Sequence, residues 1–143
     1  MLTPSRLRLE RQVLAAKLAP NLYHFCDVST DAPYIVFAAR TNRGNLYTLR
    51  VELEDFPEDV PKVFVQGRML RDRDGNPLDD ASANMHTLPS EHGWTRLCHY
   101  GYDSWTPMVS LYKIFVKARL WLEMYEEHLK TGRDIDYYLA HQA

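Results

Sequence analysis

The stretch YIVFAARTNRGNLYTLRVEL, residues 34–53, contains the clearest structural pattern in the chain. In its second half, Leu49, Val51 and Leu53 alternate with polar side chains, as in a strand that buries one face. The loop TNRGN between the two halves is rich in residues that tolerate positive φ, and it is too short for a parallel crossover. The stretch therefore predicts two antiparallel strands, residues 34–40 and 46–53.

Two further runs extend this hairpin, one on either side. Residues 22–28 precede it and have the composition of a strand, and residues 63–65 follow the proline-bracketed segment FPEDVP. Because the connections are short, we expect a four-stranded antiparallel meander. Upstream, Thr3 and Pro4 form a helix-start signal, and a helical pattern continues from there until Pro20 stops it.

The C-terminal third contains a second helix pattern. Apolar residues recur every three or four positions from Leu111 to Leu129, and Gly132 is suited to the C-cap. We interpret an aromatic stripe on this helix as core: Phe115, Trp121 and Tyr125. Residues 133–143 form a polar, aromatic tail. Residues 67–105, between sheet and helix, lack periodicity and predict a long loop of the kind that often carries function.

The order of helix, meander, long loop and helix predicts an α+β fold, and 143 residues fit one domain, 1–143. With 17 basic and 19 acidic side chains, the chain lacks the positive field of a dedicated nucleic-acid binder. It has no apolar run long enough to cross a bilayer and no signal-peptide pattern at residues 1–8. We therefore expect a soluble cytoplasmic domain that binds neither nucleic acid nor membrane directly.

Reactive side chains are concentrated in the second half of the predicted loop. The set comprises Asn84, His86, His92, Cys98, His99, Tyr100, Tyr102 and Asp103. Cys98 has Arg96 before it and His99 after it, and nearby positive charge favours the nucleophilic thiolate. The alternative interpretation of Cys98 is an ordinary, unreactive thiol near the surface. Cys26, inside a predicted strand, is interpreted as a buried, inert thiol.

A metal site is the competing chemistry for the same loop. His86, His92, Cys98 and His99 include ligand types that zinc accepts, but the spacing lacks a tight Cys-x-x-Cys or His-x-x-x-His pair. The chain also lacks the Gly-x-Ser-x-Gly of hydrolases and the glycine-rich loops that bind phosphates or dinucleotides. We expect no metal and no cofactor.

The ordered set of motifs resembles the ubiquitin-conjugating enzyme (UBC) family. The matching pieces are FPEDVP at residues 56–61, His86, Gly93, Leu97-Cys98 and Trp105-Thr106-Pro107. The run RLCHY before Trp105, the run LEMYE at residues 122–126 and Thr131-Gly132 are similar to the prokaryotic branch of that family. The resemblance covers nearly the whole chain and implies a UBC-like fold with a long active-site loop.

The resemblance implies a thioester carrier. Cys98 would accept the C-terminus of a ubiquitin-like modifier or of a cGAS-like nucleotidyltransferase from a ubiquitin-activating-like enzyme, and would pass it to an amine. Prokaryotic relatives often belong to antiphage defence operons, some of them CBASS-like. The alternative from a different class is a catalytically inactive UBC-fold module that scaffolds a partner protein.

The resemblance also suggests roles for the neighbours of Cys98. His86 and His99 would assist catalysis, although His86 can equally be a structural residue that bonds loop backbone. Asp103 would position the acceptor amine. Eukaryotic members carry His-Pro-Asn where this chain has His86-Thr87-Leu88, so the oxyanion donor is open among Asn84, Thr87 and His99.

The remaining assignments are supporting ones. Tyr100 and Tyr102 would wall the thiol from water or pack beneath the loop, and Trp105 would fix the exit of the loop. On the first helix, Arg6, Arg8 and Arg11 are either a solvated face or the surface that docks the activating enzyme, as the first helix does in this family.

Overall fold

The described part of the chain folds in the order helix, six strands, two helices. The computed structural model describes residues 1–101 and 103–140. The elements are α1 (Pro4–Lys17), β1 (Tyr23–Cys26), β2 (Tyr34–Arg40), β3 (Leu46–Glu52), β4 (Val63–Val65), β5 (Thr87–Glu91), β6 (Trp94–Leu97), α2 (Leu111–Thr131) and α3 (Ile135–Ala140). The strands form one antiparallel sheet in the order β1-β2-β3-β4-β6-β5. The α+β class predicted from the sequence is confirmed.

The hairpin predicted from the alternating pattern is present as β2 and β3. Every residue of β2 pairs with one of β3, from Tyr34 opposite Glu52 to Arg40 opposite Leu46. Ile35 and Phe37 on β2 and Leu49 on β3 point to the same face and are fully buried. In the connecting loop Gly44 has φ of 86°, a conformation that costs glycine little and other residues more. The hairpin therefore supplies one wall of the core.

The sheet has six strands where the sequence predicts four. The four predicted strands are present, but β5 and β6 arise within residues 67–105, which were expected to be irregular. Both strands are short, β5 contains Pro89, and their pairing is shifted between Leu88 and Glu91. These features remove the period-two pattern that identifies a strand in sequence. The predicted long loop is thus an irregular segment at residues 66–86, followed by a hairpin and a second, shorter loop.

The two long helices lie where their capping signals predict. The Thr3 hydroxyl accepts a hydrogen bond from the Arg6 amide at the start of α1. Ser110 caps α2 in the same way, and Gly132 ends it in the left-handed conformation. The aromatic stripe of α2 is buried, as predicted. No helix in residues 1–101 and 103–140 is both long and apolar enough to span a membrane.

The polar tail contains a third helix that the sequence pattern does not reveal. Ile135, the first residue of α3, is fully buried. The Asp136 amide donates a 2.8 Å hydrogen bond to the Asn84 carbonyl, just before β5. Six residues are too few for a helical period to be recognised, so the sequence predicts only a polar, aromatic tail here. The helix returns the C-terminal segment to the edge of the β5–β6 hairpin.

A buried carboxylate joins α1 to the start of α2. Glu10 is almost completely buried, and its Oε1 accepts a 2.8 Å hydrogen bond from the Leu111 amide in the first turn of α2. Its Oε2 accepts from Arg6 Nε, also at 2.8 Å. The negative charge lies at the positive end of the α2 dipole, which stabilises it. The position of α2 against the sheet therefore depends in part on Glu10.

We expect Glu10→Ala to lower the free energy of unfolding by about 3 kcal/mol, because it leaves buried donors on Leu111 and Arg6 without their acceptor. Urea unfolding followed by circular dichroism measures the change. Arg8→Ala is the matched control, since Arg8 is exposed on the same helix; its effect should stay within about 0.5 kcal/mol. Equal effects of the two substitutions would contradict this account.

Candidate active site around Cys98

Cys98 lies directly after β6 on the wall of a cleft of about 330 Å³. Its amide donates a 2.9 Å hydrogen bond to the His86 carbonyl, which continues the β5–β6 pairing by one step. Its side chain is half-buried, so the thiol is accessible from the cleft. The other residues that line the cleft are His86, His99, Tyr100, Gly101, Ser104, Lys117, Leu120, Trp121, Met124 and Leu139.

The side chain of His86 is oriented by α3. Its Nε2 lies 2.9 Å from Asp136 Oδ1. Because a carboxylate oxygen only accepts, Nε2 donates this bond, which leaves Nδ1 as the nitrogen that can take up a proton. The structural alternative predicted a bond from His86 to loop backbone, whereas the observed partner of the ring is a carboxylate. Asp136 was missed because it lies in the helix that the sequence pattern does not show.

His99 is neutral rather than the cation that the sequence suggests. Its Nε2 donates to the Pro61 carbonyl at 2.8 Å, and its buried Nδ1 has no hydrogen-bond partner among residues 1–101 and 103–140. Burial lowers the pKa of His99 to about 4, and the hydrogen bond to Pro61 only partly opposes this. The prediction that His99 supplies positive charge beside Cys98 was therefore wrong. Its N–H is also occupied, so it does not serve as an oxyanion donor.

Arg96 likewise does not provide the predicted charge in the cleft. Its side chain lines a separate depression with Glu52 and Lys62, and its guanidinium lies 3.5 Å from Glu91. Residues two apart on a strand share a face only while the strand remains regular, and β6 ends at Leu97. Because the strand ends between the two residues, the Arg96 side chain is separated from the Cys98 thiol.

The cation that lines the cleft is Lys117, from the middle of α2. Its Nζ lies 3.6 Å from the centroid of the Tyr100 ring, in cation–π geometry. Burial lowers the pKa of Lys117, and the positive charge of Lys113 acts in the same direction, whereas Cys98 opposes both. The sequence pattern does not distinguish Lys117 as a site residue, because its position in the helical repeat indicates only the edge of the buried stripe.

Aromatic side chains hold the loop that follows Cys98. The Tyr100 and Trp105 rings meet edge to face at 5.4 Å. Trp105 Nε1 donates a 3.0 Å hydrogen bond to the Pro57 carbonyl and its ring also contacts Phe56. The Trp105 contacts agree with its expected role at the exit of the loop, whereas Tyr100 both packs on Trp105 and lines the cleft. Tyr102 lies outside the described residues.

Three other predicted site residues are not among the described residues that line the cleft. Asn84 lines a shallow depression beside α3. The Thr87 hydroxyl is buried and donates to the Asp80 carbonyl at 2.8 Å. Neither Asn84 nor Thr87 therefore presents an oxyanion donor to Cys98. Asp103 is exposed between Gly101 and Ser104, which do line the cleft, and its role in positioning the acceptor stays a prediction.

The three arginines on α1 differ in their surroundings. Arg6 is largely buried: it pairs with Glu10 and donates to the Val109 carbonyl at 2.9 Å, so it ties α1 to the loop before α2. Arg11 is exposed and lies over the Phe25 ring, and Arg8 is exposed. Arg8 and Arg11 are thus exposed, whereas Arg6 is largely buried, and docking of a partner on this face stays a prediction.

Cys26 lies in β1 as predicted, but it is not buried. Its side chain is half-exposed, opposite Tyr34 on the neighbouring strand. The burial pattern of β1 places Phe25 inward and Cys26 on the other face of the sheet. The exposure of Cys26 follows from the inward and outward alternation of β1, which the longer predicted strand, residues 22–28, did not reveal. The chain therefore has two accessible thiols, of which only Cys98 lies in the cleft.

The residues considered for zinc are not brought together as one ligand set. Among the described residues, the group close enough to share a metal ion is Glu52, Glu91 and His92, whose ligand atoms lie within 4.8 Å of one another. Arg50 pairs with Glu52, and Lys62 and Arg96 pair with Glu91. These cations already balance the carboxylates. The thiol cleft lies apart from this group.

The cleft thus combines a reachable thiol, a histidine paired with a carboxylate, and a lysine. These are the components of nucleophilic acyl chemistry: a nucleophile, a group that accepts a proton, and a cation for developing negative charge. No protein-family model, characterised protein or solved structure matches the chain. The function of the cleft is therefore inferred from its own chemistry and from the motifs in the sequence.

The low pKa of His99 predicts a pH dependence of stability. In the unfolded chain the imidazole titrates near its ordinary value of about 6.5, so between about pH 6.5 and 4 the unfolded state binds more protons than the folded state. The contribution of His99 to the free energy of unfolding is complete above about pH 6.5 and is lost as the pH falls. We expect this contribution to be about 2 kcal/mol smaller at about pH 5 than at about pH 7.

His99→Gln tests this expectation, because glutamine can still donate to the Pro61 carbonyl but does not titrate. The difference in unfolding free energy between the two pH values, measured with urea, should shrink by about 2 kcal/mol in the variant. His24→Gln, at an exposed position of β1, is the control and should leave the difference unchanged. The same pH dependence in His99→Gln and in the unmodified protein would refute the buried, neutral state.

Proposed function

We propose that the protein is a ubiquitin-conjugating-like acyl transferase in which Cys98 carries the acyl group as a thioester. The observation that carries this proposal is the position of Cys98: a half-exposed thiol on the wall of a cleft that also contains His86 and Lys117. A thiol buried without a groove would exclude a bulky acyl donor. The accessible thiol here leaves room for one.

The arrangement of the motifs supports the same proposal. The motifs that resemble the family are separated along the chain: the FPEDVP segment, a histidine, the Leu97-Cys98 pair and the Trp105 loop. The Trp105 bond to Pro57, the His99 bond to Pro61 and the Cys98 bond to His86 bring them to one end of the sheet. Motifs that resemble a family in order alone need not meet in space. Their convergence on the thiol is what a shared catalytic role requires.

The chemistry proceeds in two acyl transfers. In the first, the Cys98 thiolate attacks the activated C-terminal carbonyl of the donor, and the leaving group departs with its bonding electrons as a thioester forms. In the second, the amine of an acceptor attacks that thioester, loses a proton, and releases Cys98 as thiolate. His86, held through Nε2 by Asp136, offers Nδ1 to receive the proton of the amine.

The donor that we propose is the C-terminus of a ubiquitin-like modifier or of a cGAS-like nucleotidyltransferase. A ubiquitin-activating-like enzyme would deliver it, docking in part on the exposed Arg8 and Arg11 of α1. The proposed setting is antiphage defence in the cytoplasm. The resemblance of the sequence motifs to the prokaryotic branch of the family supports these partners.

A catalytically inactive binding module is the second candidate. It is favoured by the side chains of Asn84 and Thr87, which do not present an amide or hydroxyl donor to Cys98 in the described structure. In that case the cleft would bind a partner without forming a bond to the thiol. A covalent assay separates the two functions.

The charging reaction tests the proposal directly. With a matched activating enzyme, ATP and modifier, we expect the protein to form an adduct that reductant removes. Cys98→Ala should abolish this adduct, because it removes the sulfur atom that forms the thioester. Cys26→Ala should leave it intact, and it is a matched control since Cys26 is the other half-exposed thiol. Non-reducing electrophoresis and intact mass measure both outcomes.

A protein that binds the modifier but never forms the adduct would support the binding module instead. An adduct that forms equally in Cys98→Ala would place the chemistry on another residue.

The second transfer depends on Asp136 if His86 receives the proton. We expect Asp136→Asn to lower kcat for discharge to free lysine about tenfold, while charging of Cys98 and the KM for lysine stay unchanged. Asp136→Glu should restore part of the rate, because a carboxylate can again orient the ring. Single-turnover discharge of the purified thioester provides these values.

Asp103→Asn is the matched comparison, since Asp103 was predicted to position the acceptor and is exposed in the turn after Gly101. We expect little effect from it. A slow discharge in Asp103→Asn together with a normal rate in Asp136→Asn would assign acceptor positioning to Asp103 and reject the His86–Asp136 pair.

A further inference from the structure

The cleft contains a cation with no carboxylate partner. Lys117 is half-buried, and among the described residues it forms no ion pair; its Nζ instead lies 3.6 Å from the centroid of the Tyr100 ring. It is also the only lysine or arginine among the described residues that line the cleft. An ammonium group in such a place is poorly solvated and lacks a neutralising anion. The site is therefore suited to an anion that forms during the reaction.

We propose that Lys117 is a catalytic residue: it stabilises negative charge at Cys98, first on the thiolate and then on the oxygen of the tetrahedral intermediate. This inference rests on the proposed acyl transfer. Lys117 keeps its protons throughout and donates a hydrogen bond to the oxyanion, so no bond to nitrogen forms or breaks. The lysine would take the place of the amide donor that eukaryotic ubiquitin-conjugating enzymes carry in His-Pro-Asn.

Several other candidate donors near Cys98 are already bound to other acceptors. The N–H of His99 is bound to the Pro61 carbonyl, and the Nε2 proton of His86 is bound to Asp136. The hydroxyl of Thr87 is bound to the Asp80 carbonyl. Lys117 has three N–H donors, and none is committed to a described acceptor. It remains as the cleft residue with donors and charge to offer.

The rigidity of its surroundings suits Lys117 to this task. It lies in the middle of α2, whose neighbouring residues Ala118 and Trp121 are packed in the core. The Tyr100 ring, held by Trp105, lies against its ammonium group. A preorganised donor needs little rearrangement when charge develops, which is how such groups accelerate acyl transfer. Burial already lowers the pKa of Lys117, and Cys98 interacts with it in the opposite direction.

The charge selectivity of Cys98 alkylation tests the local field without any acyl donor. In a Cys26→Ala background, the rates with iodoacetate and with iodoacetamide are measured, since the first reagent is anionic and the second neutral. We expect Lys117→Gln to lower the ratio of the iodoacetate rate to the iodoacetamide rate about fivefold at low salt, and Lys117→Arg to preserve this ratio. Added salt should reduce the difference. Lys113→Gln, one turn earlier and exposed, is the matched control and should change the ratio less than twofold.

Charging kinetics test the role in acyl transfer. We expect Lys117→Gln to slow single-turnover thioester formation about 100-fold, with Lys117→Arg intermediate and Lys113→Gln unchanged. An unchanged alkylation ratio or an unchanged charging rate in Lys117→Gln overturns the proposal. Recovery of the acyl group on Lys117 by mass spectrometry also overturns it, because Lys117 would then be an acceptor.

The two measurements separate the failure of this inference from the failure of the proposed function. If the unmodified protein shows the charge selectivity but never forms a thioester, the transferase is rejected and Lys117 is an anion-binding residue only. If the unmodified protein forms the thioester and Lys117→Gln does so at the same rate, the transferase stands and the role of Lys117 is rejected.

Discussion

The hydrogen bond from the Cys98 amide to the His86 carbonyl determines the geometry of the candidate site. It extends the β5–β6 ladder by one step and so places both residues at the end of the sheet, where they line the same cleft. His86 has φ of 52°, and its ring contacts Asp136 on α3. One backbone contact thus connects the hairpin, the C-terminal helix and the thiol. The lining of the cleft depends on all three.

Burial decides which charges act on that thiol. His99 is the next residue in sequence, yet it is buried against Pro61 and is neutral near pH 7. Lys117 is distant in sequence, yet α2 carries it into the cleft and the Tyr100 ring fixes its ammonium group. Proximity along the chain is therefore a poor guide to electrostatics, because desolvation can remove a charge that sequence alone suggests. The proposed chemistry depends on the cation from α2.

Much of the frame was predictable from local patterns. Alternation and capping signals identify β2, β3, α1 and α2, because these elements are long enough to show their period and have clear ends. The clustering of Cys98, His86, His99 and Tyr100 near one site was also anticipated, and the structure places all four on the cleft. The strands β5 and β6 and the helix α3 were missed, because each is short and is stabilised mainly by pairing and burial rather than by its own pattern.

Local patterns were enough to predict an α+β fold, a meander of antiparallel strands and one cysteine within a segment rich in reactive side chains. Which of those side chains share a cleft depends on how the elements pack. Packing directs Arg96 to a separate depression, keeps His99 neutral, leaves Asn84 outside the lining, and brings Asp136 and Lys117 to the site. Periodicity indicates which face of an element is buried, whereas the charge and contacts of a side chain depend on the other elements that pack around it.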